Sequence, residues 1–313
     1  MNTHHHQPSI LSEAAGRIAR ATGHTRRAFC SAIVPLIALA FSSIAVAEEA
    51  KAPAGQRVFY TGHSFHMFVP PMIDEIVKST GIQGHVRAGA QGIGGSKVIQ
   101  HWEYPDDKNT AKPALVSGKV DVFTMAPHTM IPDPGIANFV ELGLKHNPNV
   151  RFLIQGSWYP HDVAAPAAGA PDKRIKDNAD RDTMKIEDLQ GAIDEWRKRI
   201  EAQVDGLNKE HGKHVFVVPV GDAVVKLRAM VVAGQFPGIT QQSKLFRDPI
   251  GHGQGHIMVL AAYCDFAAMY GMSPVGHKIT ERSVSDEQHA ILQKLAWEVV
   301  SNYPRAGIAV LAK

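Results

Sequence analysis

The chain has 313 residues, with 33 Lys and Arg against 30 Asp and Glu and a formal net charge of +3. The positive surplus comes from residues 1–47, which hold four arginines and a single acid, so the remainder carries 29 basic and 29 acidic residues. A neutral remainder lacks the basic surface that nucleic-acid-binding proteins use. We therefore expect no nucleic acid among its partners.

Residues 1–47 have the composition of an export signal. Their arginines precede the apolar stretch SAIVPLIALAFSSIAVA, which ends in the small-residue sequence Ala45-Val46-Ala47. The run TRRAF at residues 25–29 resembles a twin-arginine export signal. Because the apolar part is short for a membrane span, we expect cleavage, a periplasmic or secreted location and no stable membrane association afterwards. An uncleaved membrane anchor is the alternative.

Residues 48–313 are long enough for one large domain with a substantial core. Cys264 is the one cysteine in this part of the sequence, since Cys30 lies in the predicted signal. A single thiol cannot form an internal disulfide bond, so we expect no disulfide framework. The composition gives no indication of the oligomeric state.

Short apolar runs alternate with helix-length amphipathic segments along residues 48–313. Strands are predicted at residues 57–60, 84–88, 120–125, 150–155 and 214–219. Helices are predicted at residues 67–79, 97–102, 136–145, 186–210, 222–233, 255–270 and 285–302. This alternation is typical of the α/β class and predicts a three-layer α/β/α sandwich with a doubly wound, mostly parallel five-stranded sheet.

One segment departs from the alternation. Residues 160–183, rich in Ala, Pro and charged residues, follow the fourth predicted strand and contain no clear strand or helix pattern. We interpret them as a long insertion, either a lid over a ligand site or a solvated loop without function.

In such a sheet the ligand site lies at the carboxyl ends of the strands. The stretch YTGHSFH at residues 60–66 leaves the first strand there, and Ser64 is a candidate nucleophile that would need a neighbouring base. After the second strand comes GAQGIGGS at residues 89–96, whose glycines allow backbone amides to point at an incoming oxygen, with Gly95 as the predicted donor.

The third candidate segment is LFRDPIGHGQGH at residues 245–256, just before an apolar helix. Asp248 and His252 are close enough in sequence for the carboxylate to orient the imidazole while its other nitrogen accepts a proton. His256 lies four residues further on and is a second candidate base.

The order of these segments resembles the SGNH, or GDSL-like, hydrolase superfamily, of which the chain would be a divergent secreted member. The resemblance implies a flavodoxin-like fold and an esterase or lipase that acts on acyl esters, frequently acetyl groups on carbohydrates. By position, Ser64 matches the nucleophile, whose amide also serves the oxyanion hole, and Asp248 and His252 match the final Asp-His pair. Gly95 matches the second oxyanion donor, with Gly94 as the alternative.

The sequence departs from the superfamily pattern at three places. The final pair is spaced as DPIGH, one residue longer than usual, which leaves the choice between His252 and His256 open. The loop after the third strand reads APHTM where the family has an oxyanion asparagine, so His128 is the nearest polar donor. His63 stands where the family has an acid before the serine.

These observations predict a secreted serine esterase with a small-molecule or carbohydrate ester as substrate and with no metal or other cofactor. Two alternatives use the same residues. A metal-binding hydrolase would gather His63, His66, His128, Asp248, His252 and His256 around an ion such as zinc. A non-catalytic descendant of the fold would bind a glycan or a protein partner at the same edge.

Overall fold

The computed structural model describes residues 52–164, 170–281 and 283–311, and the predicted signal of residues 1–47 lies outside this part. Five strands form one sheet in which every neighbouring pair is parallel. They are β1 (Arg57–Gly62), β2 (Val86–Gly92), β3 (Val122–Met125), β4 (Arg151–Gln155) and β5 (Val215–Val218). Their order across the sheet is β2-β1-β3-β4-β5, the strand order of the flavodoxin-like doubly wound fold.

Successive residues of a strand point to opposite faces of the sheet, and both faces are buried in β1, β3, β4 and β5, whereas the edge strand β2 is largely exposed. In β1, Val58 and Tyr60 belong to one hydrophobic core and Phe59 to the other. In β5 the same alternation places Phe216 in the first core and Val217 in the second. Near-continuous apolar strands of this kind are expected for a parallel sheet that is covered on both sides.

Helices cover both faces. The described helices are α1 (Val69–Lys78), α2 (Val98–Trp102), α3 (Ala111–Val116), α4 (Pro134–His146), α5 (Ile186–His211), α6 (Val220–Val232), α7 (Gly255–Tyr270), α8 (Asp286–Ser301) and α9 (Ile308–Leu311). Side chains of α1, α6, α7 and α8 form the first core with the sheet, and those of α3, α4 and α5 form the second. Across the described residues, none of the helices combines the length and apolar character that a bilayer crossing requires.

The structure confirms the predicted fold class, a three-layer α/β/α sandwich with five strands. Three elements differ from the prediction, strand β2 and the two short helices α3 and α9, which were not predicted. Strand β2 continues to Gly92, into the glycine-rich stretch that we predicted as a loop, because Gln91 and Gly92 pair with Thr61 and Gly62 of β1. Helix α3 was not predicted, since its six residues include Pro113 and carry a weak helical pattern.

Candidate active site

Ser64 lies in a tight turn directly after β1. The carbonyl of His63 accepts hydrogen bonds from the amides of His66 and Met67 at 2.9 and 3.1 Å, and this turn leads into α1 while Ser64 stays exposed. Gly62 ends β1 just before this turn, and a Cβ at this position would lie 2.9 Å from the Cβ of Ala126 after β3. Gly62 therefore lets the loop approach the neighbouring strand end.

The loop before α7 brings Asp248 and His252 to this turn. The Oγ of Ser64 lies 2.9 Å from Nε2 of His252, and Nδ1 of His252 lies 2.7 Å from Oδ2 of Asp248. A carboxylate only accepts, so Nδ1 carries the proton and Nε2 accepts from the Ser64 hydroxyl. The three side chains form one hydrogen-bonded chain in the order that a serine nucleophile, its base and an orienting acid require.

Asp248 is held as a carboxylate. Burial on its own would raise the pKa of Asp248, but hydrogen bonds from the His252 side chain and from the amides of His252 and Gly251 outweigh burial and lower that pKa. Its Oδ1 accepts the Gly251 amide at 2.9 Å, while Oδ2 is left for the imidazole. The backbone of its own loop thus orients the carboxylate towards His252.

His256, the second candidate base, points elsewhere. It lies in the first turn of α7, buried, with its Nε2 3.1 Å from Oε1 of Gln288 on α8. Of the two histidines, the structure places His252 at Ser64.

The predicted oxyanion donors lie at the same edge of the sheet as Ser64 and His252. Gly95, in the turn after β2, adopts φ +63°, and a Cβ there would meet no atom within 4 Å. In the described part of the chain, no acceptor faces the backbone amide of either Gly95 or Ser64. Gly94, the alternative donor, is also exposed.

His128 lies beside these groups, after β3. Its Nδ1 is 3.0 Å from the hydroxyl of Thr129, and burial, followed by the charge of Lys97, lowers the pKa of His128. If the Thr129 hydroxyl donates to Nδ1, the neutral ring keeps an N–H at Nε2. His63, Ser64, Gly95 and His128 line a common cleft of about 250 Å³ that also includes His161.

His63, at the wall of this cleft, and His66, which does not line it, are buried and hydrogen-bonded to the protein. Burial, together with the nearby His128 and His66, lowers the pKa of His63 to about 3, and its Nδ1 accepts the amide of Phe65 at 3.2 Å. Burial lowers the pKa of His66 to about 4. The ring of His66 lies between Oε1 of Gln155 at 2.6 Å and the hydroxyl of Thr124 at 2.8 Å, and so ties the Ser64 turn to β4 and β3.

The six side chains of the metal-site alternative are therefore not gathered around one point. His66 is bonded to Gln155 and Thr124, and His256 to Gln288. Over residues 52–164, 170–281 and 283–311, no group of three or more His, Cys, Asp or Glu side chains is arranged to hold a metal ion.

Two aromatic residues that were not predicted as site residues pack at His252, one directly and one behind it. The ring of Phe65 contacts His252 edge-on at 5.4 Å and stacks on Trp158 at 4.7 Å between centroids. Trp158 follows β4, and an aromatic residue just past a strand end was the only sequence signal that pointed to it.

No protein-family model matches the chain, and no curated protein matches it in sequence. Among solved structures, a DUF4886 family protein from Bacteroides uniformis is similar over 80% of this chain and 96% of its own, with a TM-score of 0.53 and 14% identity. A protein from Parabacteroides merdae described as a GDSL-like lipase covers 71% of this chain and 98% of its own, with a TM-score of 0.41 and 13% identity. A protein from Slackia heliotrinireducens described as an SGNH hydrolase covers 69% and 99%, with a TM-score of 0.40 and 17% identity.

The likeness to the Bacteroides protein shows a shared fold, and at this identity it shows the fold alone. The parallel sheet and its strand order are those of a flavodoxin-like α/β/α fold. The catalytic roles of Ser64, Gly95, His128, Asp248 and His252 stay predictions.

Proposed function

We propose that this protein, whose fold is SGNH-like, is an exported serine hydrolase that cleaves short acyl esters, with acetyl esters of carbohydrates among the candidate substrates. The observation that carries the proposal is the hydrogen-bonded chain from Ser64 through His252 to Asp248. The first distance, 2.9 Å, joins residues 188 positions apart in sequence, and the second, 2.7 Å, joins His252 to Asp248 within one loop. The export part of the proposal rests on the composition of residues 1–47.

In the first step, Oγ of Ser64 attacks the ester carbonyl while Nε2 of His252 takes the hydroxyl proton. The carbonyl oxygen becomes an oxyanion, which the backbone amides of Ser64 and Gly95 and the ring N–H of His128 hold. Asp248 keeps the proton on Nδ1 of His252 and stabilises the imidazolium that forms.

In the second step, the imidazolium returns its proton to the departing alkoxide, and the alcohol leaves a Ser64 acyl ester behind. Water then attacks this ester, with His252 as its base, and releases the carboxylic acid and the free serine. No group beyond the protein and water is needed for these steps to balance.

The first prediction concerns Ser64→Ala, tested with p-nitrophenyl acetate and a panel of acetylated sugars. We expect the variant to lose at least about a thousandfold in kcat, because among the described residues no hydroxyl other than that of Ser64 hydrogen-bonds to His252. Steady-state kinetics and the free energy of unfolding should be measured together.

Ser96→Ala is the matched control. Its hydroxyl also contacts a histidine, Nε2 of His101 at 2.7 Å, but the pair is buried away from the cleft. We expect Ser96→Ala to keep kcat within a few-fold. A Ser64→Ala protein that is as active as the wild type would end the proposal, and so would a wild-type protein inert towards every ester in the panel.

A further inference from the structure

The insertion after β4 carries a buried group of three charged side chains. Asp162 forms ion pairs with Arg181 and with Arg228 of α6, the second at 2.7 Å. The three side chains are 1%, 0% and 2% exposed. Removing one partner from a buried ion group is strongly destabilising, so the three side chains hold one another in fixed positions.

The backbone that delivers Asp162 adopts a costly conformation. His161 and Asp162 are successive non-glycine residues in the left-handed region, with φ of 55° and 63°. This conformation is unfavourable for a residue with a Cβ, and it persists only where surrounding contacts stabilise it. The turn buries the Asp162 carboxylate and aims the backbone amide of His161 at the loop that holds Asp248 and His252.

Three donors from this region bind four successive carbonyls of that loop. Nη2 of Arg181 donates to the carbonyls of Asp248 and Pro249 at 3.1 and 2.9 Å. The amide of His161 donates to the carbonyl of the next residue, Ile250, at 2.9 Å. Nε1 of Trp158 donates to the carbonyl of Gly251 at 2.8 Å. We call these three donors, from Trp158, His161 and Arg181, the loop clamp.

The last of the four carbonyls belongs to Gly251, whose backbone conformation favours glycine and whose surroundings leave little space for a Cβ. Its φ is +105°, and a Cβ there would lie 3.2 Å from Nη2 of Arg181 and 3.5 Å from Nε1 of Trp158. The loop and the clamp are therefore in direct contact immediately before His252.

We propose that Arg181 is a positioning residue, which acts through the loop clamp to hold Asp248 and His252 at hydrogen-bonding distance from each other and from Ser64. The proposal rests on the proposed hydrolase function where it concerns catalysis. Asp248 and His252 are 35% and 21% exposed, so packing around their side chains alone does not immobilise them. A misplacement of about 1 Å in a catalytic group can cost on the order of a hundredfold in rate.

The second prediction compares Arg181→Lys with Arg228→Lys. Both arginines pair with Asp162 and lie over the ring of Phe246. The described hydrogen bonds of Arg228 run to Asp162 and Gln242 and not to the carbonyls of the Asp248 loop. Lysine keeps a positive charge beside Asp162 and lacks the planar fork that reaches the two carbonyls as well. Comparing the two variants therefore distinguishes an effect of the buried ion group from an effect of the loop clamp.

We expect Arg181→Lys to lower kcat about tenfold or more with KM changed less than about twofold, and Arg228→Lys to keep kcat within about twofold. A second readout is the far-downfield proton NMR signal of the His252 Nδ1–H bonded to Asp248, which should broaden or vanish in Arg181→Lys and stay unchanged in Arg228→Lys. Equal kcat losses in the two variants, or an unchanged kcat and signal in Arg181→Lys, would overturn the proposal.

Trp158→Phe tests the same clamp without touching a charge. Phenylalanine keeps a ring against Phe65 and removes the donor to the carbonyl of Gly251. We expect a smaller loss of kcat and a broadened downfield signal, whereas a folded Trp158→Phe protein with unchanged kcat and signal would count against the clamp. Should the wild type cleave no ester, the hydrolase proposal fails, and the NMR comparison still decides whether Arg181 positions the Asp248–His252 pair.

Discussion

Asp265 is a buried acid with no structural explanation in the fold around it. It lies inside α7, 1% exposed, and neither carboxylate oxygen has a hydrogen-bond partner among the described residues. Burial raises the pKa of Asp265 well above its usual range, so the group is held as the neutral acid. An unsatisfied buried polar group costs about 1–3 kcal/mol.

The third prediction is that Asp265→Ala stabilises the protein, and that its advantage grows as pH rises. Because the pKa of Asp265 is raised in the folded state, the unfolded chain loses its proton first, near the ordinary pKa of an aspartate. Above that pH, the free energy of unfolding of the wild type falls by up to about 1.4 kcal/mol per pH unit until the folded protein ionises as well. Urea unfolding from about pH 4 to pH 8 measures the difference.

Asp265→Asn is the control for this prediction. It removes the same titration but keeps two polar atoms in the core, so it should abolish the pH-dependent part of the difference and give less absolute stabilisation than alanine. A difference between Asp265→Ala and the wild type that stays constant over this pH range would contradict the assignment of a raised pKa.

At the scale of elements, one side chain joins two helices near the site. Oδ1 of Asp133, the N-cap of α4, accepts the amide of Gly135 at 2.9 Å. The same carboxylate accepts the amides of Val98 and Ile99 in the first turn of α2 at 2.8 and 2.9 Å. Since α2 begins three residues after Gly95, Asp133 anchors the end of the turn that presents the predicted oxyanion amide.

The fourth prediction is that Asp133→Ala lowers the free energy of unfolding by about 2–3 kcal/mol, because two helices lose their cap together and a single cap is typically worth about 1 kcal/mol. Asp133→Asn keeps one acceptor oxygen, so its loss should be intermediate. Denaturant unfolding of the wild type, Asp133→Ala and Asp133→Asn tests the ranking. A loss below about 1 kcal/mol in the free energy of unfolding of Asp133→Ala would show that the Asp133 side chain does not stabilise both helices.

The sequence did not predict the structure of the insertion at residues 160–183. Its Ala, Pro and charge content fits both a lid and a solvated loop. The structure instead buries Asp162 and Arg181, whose partners Arg228 and the carbonyls of residues 248 and 249 come from distant parts of the chain. Composition shows that charges are present, and only the partners decide which charges are buried.

At the scale of the whole molecule, three buried neutral histidines make stability sensitive to acid. Burial, the largest cause for each of them, lowers the pKa of His63 to about 3 and the pKa values of His66 and His101 to about 4. Between about pH 4 and pH 6.5, the unfolded chain takes up protons that the folded protein does not. The stability that these groups contribute is therefore complete above about pH 6.5 and is lost as pH falls towards 4.

The fifth prediction is that the free energy of unfolding falls steeply over this range and that His66→Gln makes the fall shallower. Each histidine contributes up to about 1.4 kcal/mol per pH unit, and glutamine retains a donor and an acceptor for Gln155 and Thr124 without titrating. His146→Gln, at an exposed position on α4, should leave the slope unchanged. A slope in His66→Gln that equals the wild-type slope would contradict the assignment of His66 as a buried neutral group.

The sequence by itself determined the class of fold and the order of its parts. All five strands and seven of the helices follow from apolar runs and amphipathic periods, because local pattern reflects which faces of an element are buried. The common edge for Ser64, Gly95 and His128 follows as well, since these residues come after β1, β2 and β3 and the carboxyl ends of parallel strands lie together.

Only the tertiary structure decided which side chains meet. It placed His252 rather than His256 at Ser64, buried His63 and His66 as supports, and assembled the loop clamp on the Asp248 loop. These contacts join residues that are tens to nearly two hundred positions apart, and their distances depend on how loops cross the end of the sheet. Periodicity along the chain records burial, but it carries no information about which polar groups face one another across that edge.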